Sequence, residues 1–281
     1  MNILITGGSG FIGTHLSNKL EGKITVYDLK PPVSSSVTYV QGDIRSTKID
    51  QVIAQTDVVL HLAGLLGTHE LVEKVKEAIS VNIEGSVNVM ESCSRHNKKL
   101  VLISKPNIWP NTYSITKAAN EQFAEMYRIE KGLKHIVIKW FNAYGPGQPT
   151  FAESGIRKVI PTWFTDENIE IYGDGSQTMD LIHTTDIAES TQILLNNLDA
   201  ILGKTFQVGS GTEVTVEEVA NIVASMTGKK IIHLPMRPGE TPNTRLKADI
   251  TEIAKLGWKP RVSLEEGLRE TYDWYSHNYN F

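Results

Sequence analysis

Short apolar runs recur through the first half of the chain and alternate with segments of helical periodicity such as GFIGTHLSNKL and SVNIEGSVNVMESCSRH. The runs stay apolar instead of alternating with polar residues, which is typical of strands covered on both faces of a parallel sheet. We therefore predict an α/β fold built on a doubly wound parallel sheet of the Rossmann type. The predicted strands are NILIT (2–6), ITVYD (24–28), TYVQGD (38–43), DVVLHLAG (57–64), KLVLIS (99–104) and HIVIKWFN (135–142).

The second half of the chain has a different pattern of turns and helices. After residue 145 the turns become rich in glycine, at GPGQP, YGDGSQ and GSGT, between helical patterns at 186–198, 215–227 and 263–277. We interpret residues 1–148 as the sheet-bearing Rossmann domain and residues 149–281 as a smaller C-terminal domain. Segments near 178–209 are expected to return to the main sheet.

Composition limits the classes of function. A formal charge of -4 and a pI of about 6.1 give no basic field, so nucleic acid is not an expected partner. The start MNILITGG has no signal-peptide pattern, and no apolar run approaches the ~20 residues that span a bilayer, so we expect a cytoplasmic protein with no membrane partner. The single cysteine, Cys93, lies in a helical pattern and is expected to be buried or half-buried; no metal site is predicted.

The motif GGSGFIG places Gly7, Gly10 and Gly13 directly between a predicted strand and a predicted helix. The first glycine allows a tight turn, the second lets the backbone approach a pyrophosphate, and the third lets helix and strand pack closely. The amides at the helix N-terminus would hold the anion. The position of the motif predicts a dinucleotide site.

An acidic residue, Asp28, follows the second strand 21 residues after Gly7. There a carboxylate can accept hydrogen bonds from the adenosine ribose and would repel a 2′-phosphate, which favours NAD over NADP. Lys30 keeps NADP open, and an aspartate at a strand end can also simply start a turn.

Tyr113 and Lys117 lie four residues apart in SKPNIWPNTYSITK (104–117), so a helix starting near Tyr113 puts both on one face. A tyrosine that acts as a base near neutral pH needs positive charge nearby, because its unperturbed pKa is about 10. The lysine ammonium supplies it. Such a pair also occurs by chance on surface helices, but its position after KLVLIS favours catalysis.

These motifs resemble the extended short-chain dehydrogenase/reductase family, and within it the nucleotide-sugar epimerases similar to UDP-glucose 4-epimerase. The likeness covers nearly the whole chain. Besides the motifs above, it rests on GDI (42–44), HLAG (61–64), VNIEG with Asn82, KWFNAYGPGQ (139–148), IYGDGSQTMDLIHTTDIA (171–188), RPGE (237–240) and LGWKP (256–260).

The resemblance implies an NAD-dependent enzyme that acts on a nucleotide sugar and forms a homodimer through helices near 80–96 and 113–131. Asn142 and Arg237 would face the nucleotide diphosphate. The residues expected to bind NAD are Gly7, Gly10, Phe11, Ile12, Gly13, Asp28, Asp43, Ile44, Leu62, Ala63, Gly64, Asn82, Tyr113 and Lys117.

Two positions depart from the family pattern. The segment between KLVLIS and the tyrosine is short, and matching IWP to the family's Val-Tyr-Gly puts Lys105 at the usual serine or threonine position. Ser104 is then the expected third catalytic residue, with Asn107 and Thr112 as substitutes. Met179 stands where an arginine commonly contacts the sugar nucleotide, so either Arg237, Arg245 and Lys139 hold the diphosphate or the substrate is held differently.

The loop LLGTHEL (65–71) follows the fourth predicted strand, where ligands bind in such folds. His69 is a candidate substrate-binding residue, and Glu70 could act as a second acid or base. Alternatively, Thr68 caps a helix over HELVEKVKEAIS and its neighbours are solvated.

The leading hypothesis is a redox-neutral epimerase of a nucleotide-activated hexose, acting at C4 through a keto sugar. Related reactions stay open: reduction, which Asp28 disfavours through cofactor choice, decarboxylation, and 4,6-dehydration, whose Thr-Asp-Glu triplet is not matched by KPN (105–107). A different class of function is a non-enzymatic NAD sensor. Intact Tyr113 and Lys117 argue against it.

Overall fold

Seven parallel strands form the central sheet of the protein in a computed structural model, which describes residues 1–68, 70–106, 110–150, 159–237 and 243–279. The order of the sheet is β3-β2-β1-β4-β5-β6-β11. The strands of the described residues are β1 (Asn2–Thr6), β2 (Lys23–Asp28), β3 (Thr38–Gln41), β4 (Val58–His61), β5 (Lys99–Ser104), β6 (Lys134–Trp140), β7 (Asn142–Tyr144), β8 (Ile169–Tyr172), β9 (Thr178–Met179), β10 (Leu181–His183), β11 (Thr205–Val208), β12 (Val214–Thr215) and β13 (Ile231–Leu234).

Helices connect these strands. They are α1 (Phe11–Lys19), α2 (Lys48–Ala54), α3 (Val75–Ala78), a π-helical segment (Ile79–Glu84), α4 (Gly85–Arg95), α5 (Thr112–Lys131), α6 (Val159–Thr165), α7 (Thr184–Asn196), a 3-10 turn (Leu198–Ala200), α8 (Val216–Thr227), α9 (Thr251–Ala254) and α10 (Leu264–Asn278).

Each face of the central sheet is covered by its own hydrophobic cluster. On one face, α2, α4 and α5 pack on the sheet through buried residues such as Ile53, Met90 and Ala124. On the other face, α1, α7 and α9 do so through residues such as Leu16 and Leu194. Burial on both faces explains why the strand sequences are apolar throughout, and it confirms the predicted doubly wound sheet.

A third cluster holds the smaller lobe together. It joins α6, α8, α10 and β8 through fully buried residues that include Trp163, Phe164 and Tyr275. Asp180 ties this lobe to the main sheet, because its buried carboxylate accepts backbone hydrogen bonds from Ser210 and from Ala248. The motif at 171–188, which contains Asp180, thus has a structural role in joining the two parts of the fold.

Each of the six apolar runs forms a strand, and NILIT and KLVLIS do so with the predicted bounds. The helix expected over 69–80 is shorter, since residues 70–74 form turns and α3 begins at Val75 after Lys74. The interpretation of Thr68 as its cap is therefore wrong. Cys93 is buried, as predicted. Across the described ranges, no helix combines the length and apolar character needed to cross a bilayer.

Candidate active site

The strand order reverses between β1 and β4, and the crevice at the carboxyl ends of these two strands is where doubly wound sheets bind ligands. The glycine loop lies in this crevice. Gly7 has φ +70°, and a Cβ there would meet Ala63 N at 2.7 Å. At Gly13 a Cβ would meet the Gly8 backbone at 2.5 Å, so two glycines of the motif are required by close approach.

The N-terminus of α1 opens onto the same loop. Gly10 is its N-cap residue and has no side chain to occupy the first-turn amides, which include those of Phe11 and Ile12. Two more of the predicted cofactor residues border the crevice. Ala63 N donates to Thr6 Oγ1 at 3.3 Å and Leu62 N donates to Thr6 O at 3.1 Å, which joins the ends of β1 and β4.

Asp28 ends β2 beside the glycine loop. Its two carboxylate oxygens accept backbone hydrogen bonds from Ser9 N at 3.0 Å and Lys30 N at 3.2 Å. Each oxygen keeps a second lone pair that can accept from a hydroxyl. The two hydrogen bonds fix the carboxylate beside the glycine loop. The cradle of backbone and the carboxylate together fit a dinucleotide without a 2′-phosphate.

Asp43 and Ile44, two further residues expected to bind NAD, already interact within the protein. Asp43 forms a bidentate ion pair with Arg45, with Nη2 and Oδ2 2.5 Å apart, and this interaction lowers the pKa of Asp43. Ile44 is buried and its side chain packs on Gly85, where a Cβ would meet Cδ1 at 2.6 Å. Ile44 would therefore contribute an apolar surface to the cofactor site.

A buried polar network lies behind the crevice. Asn82, in the π-helical segment, clamps the loop after β4, accepting from Leu65 N at 2.7 Å and donating to Leu65 O at 3.0 Å. Asn82 O accepts from Ser86 Oγ at 2.6 Å and from Asn120 Nδ2 at 2.7 Å. π-Helical turns free such backbone carbonyls and often occur at functional sites. Here the turn fixes Asn82 against Gly64.

His61 completes this network. Its Nδ1 lies 2.7 Å from Thr6 Oγ1 and its Nε2 lies 2.9 Å from Ser86 Oγ. Since the Ser86 hydroxyl donates to Asn82 O, it can only accept from His61, which assigns the ring proton to Nε2. Burial, with Lys117 nearby, lowers the pKa of His61 to about 3. The imidazole is therefore a neutral scaffold group.

The structure brings Tyr113 and Lys117 together at the start of α5. Asn111 caps this helix by accepting from Ser114 N at 2.9 Å. Lys117 Nζ donates to Ile103 O at 2.9 Å and lies 5.9 Å from the centroid of the Tyr113 ring. Burial raises the pKa of Tyr113 and lowers that of Lys117 to about 8. Burial thus opposes ionisation of the phenol, and nearby positive charge favours it.

Ser104 lies at the end of β5, but its hydroxyl donates to Glu121 Oε1 at 2.5 Å. The other oxygen of Glu121 lies 2.8 Å from Lys139 Nζ. Lys139, expected to help with the diphosphate, is thus paired within the scaffold. The sequence motifs did not point to Glu121. The one signal in the sequence was its position four residues after Lys117, which puts both side chains on the same face of α5.

The residue after Ser104 points elsewhere. Lys105 is half-buried, donates from Nζ to Ser114 Oγ at 2.7 Å, and lies 5.6 Å from the centroid of the Tyr113 ring. Burial lowers the pKa of Lys105 to about 8. Its side chain therefore shares the surroundings of the phenol.

The residues assigned to substrate binding are spread around the smaller lobe. Asn142 is exposed at the start of β7, and the Arg237 guanidinium lies 4.6 Å from the centroid of the Tyr172 ring. Arg245 is held by Glu213, with Nη2 and Oε2 2.5 Å apart. Asn107 and His69 lie outside the described residues.

Comparisons with known proteins agree with this geometry. The family model for GDP-mannose 4,6 dehydratase matches residues 104–271, and the model for the NAD dependent epimerase/dehydratase family matches residues 3–105. A putative UDP-glucose 4-epimerase of Methanocaldococcus jannaschii is 28% identical over 305 residues, covering 98% of this chain and 99% of the relative.

Relatives with other names match equally widely. The UDP-N-acetyl-alpha-D-glucosaminuronate decarboxylase of Bacillus cytotoxicus is 27% identical, with 97% of each chain covered. The crystal structure of the Thermus thermophilus UDP-glucose 4-epimerase in complex with NAD superposes with a TM-score of 0.87 at 26% identity, over 98% of this chain and 99% of that one. This chain therefore belongs to the NAD-dependent epimerase/dehydratase family of extended short-chain dehydrogenases/reductases.

Proposed function

We propose that this protein is an NAD-dependent epimerase of a nucleotide-activated hexose, acting at C4 through a transient keto sugar, and that it works as a cytoplasmic homodimer. The observation that carries the proposal is the placement of Tyr113 beside the Lys117 ammonium, 5.9 Å from the centroid of its ring, at the end of the sheet that bears the glycine loop. A protein that only binds a dinucleotide has no use for a polarised phenol.

Bound NAD would supply an acceptor and donor of hydride. The chain's own residues do the rest. The glycine loop and the first-turn amides of α1 would hold the pyrophosphate, and Asp28 the adenosine ribose. Gly64 lies beside Lys117, since a Cβ on Gly64 would meet Lys117 Nζ at 4.0 Å. This supports a role for the ammonium in binding the nicotinamide ribose as well as in polarising the phenol.

Tyr113 would remove the proton from the reacting hydroxyl as a phenolate and return it in the reverse step. Burial alone opposes the phenolate. Positive charge from Lys117 offsets that burial, and the buried carbonyl of Ile103 fixes the ammonium in place. The proton therefore moves between the sugar oxygen and Tyr113 Oη, while Lys117 keeps its own.

Arg237 is the residue we propose for the nucleotide diphosphate. Its guanidinium lies over the Tyr172 ring, which restricts its direction before any ligand arrives. Asn142, exposed at the start of β7, is the second proposed contact. Met179 is neutral, and the charge of Arg245 is offset by Glu213. The proposed diphosphate site therefore has less positive charge than Arg237, Arg245 and Lys139 would give together.

Proton NMR of the purified protein tests the reaction. NAD and a panel of UDP-, GDP- and dTDP-activated hexoses and hexuronates would be supplied, with Tyr113→Phe as the matched control. We expect a new anomeric signal from an epimer, absent in the control. A pentose product would identify decarboxylation, which the similarity to the Bacillus cytotoxicus enzyme makes the second candidate. Binding of NAD without turnover of any panel member would contradict the proposal.

A further inference from the structure

The ring of Tyr113 is flanked by two ammonium groups, although the mechanism above uses only one. Lys117 reaches it from one turn further along α5, and Lys105 reaches it from the end of β5. The two distances to the ring centroid, 5.9 and 5.6 Å, are nearly equal. Both lysines are therefore close enough to stabilise a negative charge on the phenol.

Lys105 is held in this position. Its Nζ donates to Ser114 Oγ at 2.7 Å, and Ser114 is itself fixed by the helix cap, where its amide donates to Asn111. Lysine side chains usually extend into water, because burial of the ammonium costs free energy. A half-buried lysine tethered beside a phenol is thus a built feature of the site.

Ser104 cannot easily do what Lys105 does. A hydroxyl has one hydrogen, and that of Ser104 is directed to Glu121 at 2.5 Å. The ammonium of Lys105 has three hydrogens, of which Ser114 takes one. Within the described part of the chain no second acceptor is assigned to it, which leaves two hydrogens for an oxygen near Tyr113.

Resting on the proposed function, we propose that Lys105 is a catalytic residue that donates a hydrogen bond to the reacting sugar oxygen and, with Lys117, stabilises the phenolate of Tyr113. In the proton-transfer step the sugar O–H bond breaks, and a new O–H bond forms between that proton and Tyr113 Oη. Lys105 keeps its proton and stabilises the charge that develops on the sugar oxygen.

Among the described residues, two further titratable groups of the neighbouring elements are already engaged. On α5, Glu121 pairs with Lys139 of β6 and accepts from Ser104. On β4, His61 is neutral, since its pKa is lowered to about 3. Lys105 and Lys117 are thus the described ammonium groups near the ring, and removal of one should change the titration of Tyr113.

That titration requires no substrate. The absorbance of the phenolate near 295 nm would be followed against pH with saturating NAD, and Tyr113 isolated as the difference between each protein and its Tyr113→Phe counterpart. We expect Lys105→Met to raise the pKa of Tyr113 by about one to two units, and Lys105→Arg to leave it nearly unchanged. The matched control is Lys134→Met, an exposed lysine at the opposite end of the sheet, which should have no effect.

The same Tyr113 pKa in Lys105→Met and the wild type would overturn the electrostatic half of the proposal. Lys105→Gln, which keeps a hydrogen-bond donor but no charge, should behave like Lys105→Met and serves as the second variant should one of them fold poorly. Because this result does not depend on any sugar, it separates a failure of the Lys105 proposal from a failure of the epimerase proposal.

Once a substrate turns over, the kinetic split tests the other half. Lys105→Met should lower kcat about 100-fold with little change in KM, and Lys105→Arg should restore most of it. A rise in KM alone, with kcat unchanged, would reduce Lys105 to a binding residue and overturn its catalytic assignment.

Discussion

The Ser104 hydroxyl donates to Glu121 across 2.5 Å, and through that carboxylate it is linked to Lys139 on the neighbouring strand. The register of the sheet explains this link, because Ser104 pairs with Lys139 in the β5–β6 ladder. The serine at the end of β5 is therefore part of the joint between the sheet and α5.

The first prediction separates this positioning role from a catalytic one. Ser104→Ala removes one hydrogen bond and leaves the Glu121–Lys139 ion pair, so we expect a stability loss of about 1 kcal/mol and less than a tenfold loss of turnover. Tyr113→Phe should lower turnover by roughly 100- to 10,000-fold with NAD still bound. If Ser104→Ala were as inactive as Tyr113→Phe, the sequence-based assignment of Ser104 as catalytic would be correct.

A second prediction concerns the stability cost of the buried Lys117. Its pKa in the folded protein is lowered from 10.5 to about 8, so between these values the unfolded chain binds more protons and stability rises with pH. Below pH 8 the penalty is fully present, at most about 3 kcal/mol. Lys117→Met removes it but also loses the hydrogen bond to Ile103.

We therefore expect the NAD-free Lys117→Met protein to be more stable than wild type by about 1–2 kcal/mol at pH 7, with the gain shrinking toward pH 10. Urea unfolding at both pH values measures the difference. The exposed Lys134→Met variant is the control and should show little change at either pH. A Lys117→Met protein that is less stable at pH 7 would refute the argument.

The third prediction uses two glycines with nearly the same backbone. Gly7 and Gly132 have φ values of +70° and +66°, but only Gly7 faces backbone atoms, whereas a Cβ on Gly132 would meet nothing within 4 Å. Gly132→Ala should cost about 1 kcal/mol from the left-handed conformation alone. Gly7→Ala adds the clash with Ala63, so we expect a larger loss of stability together with loss of NAD binding, both followed by thermal unfolding with and without NAD. Equal effects of the two substitutions would contradict the close-approach argument.

The strands could be predicted because burial on both faces leaves a direct mark on the sequence. KLVLIS is apolar, ends at a serine, and forms a strand over those six residues. The proximity of Tyr113 and Lys117 could also be predicted from the sequence, since residues four apart on a helix lie on the same face. Local sequence carries both signals.

The surroundings of the phenol could not be predicted, because they depend on contacts between distant residues. Glu121 is 17 residues from Ser104, and only the packing of α5 on β5 brings them together. The π-helical segment is a second example: Asn82 was assigned from a motif, but its clamp on Leu65 requires a local unwinding that no periodicity shows. The helix expected over 69–80 was also too long, because residues 70–74 form turns before α3 begins at Val75.

The fourth prediction concerns the choice of cofactor. Asp28 accepts two backbone hydrogen bonds and can accept more from a ribose, and its charge opposes a 2′-phosphate. Asp28→Asn should weaken NADH binding about tenfold or more and raise the NADPH-to-NADH affinity ratio. Nicotinamide fluorescence titrations give both constants. An unchanged ratio would mean that Asp28 only shapes the turn.

An apolar face on α5 bears on the proposed homodimer. Ile115, Met126 and Ile129 are exposed, the last by 63%, and their spacings of 11 and 14 residues bring them to one side of the helix. Val75 and Ile79, at the start of the preceding helical region, are exposed as well. Apolar side chains grouped in this way mark an interaction surface.

The fifth prediction is that this face closes the dimer. Under a two-fold axis each copy would present the same residues to its partner, so one charge enters the interface twice. Ile129→Glu should therefore give a monomer in light scattering coupled to size exclusion, with thermal stability that falls and becomes independent of protein concentration. Val33→Glu, an apolar residue that is 87% exposed in the loop after β2, is the matched control and should remain dimeric. A wild-type monomer, or an Ile129→Glu dimer, would exclude this surface as the interface.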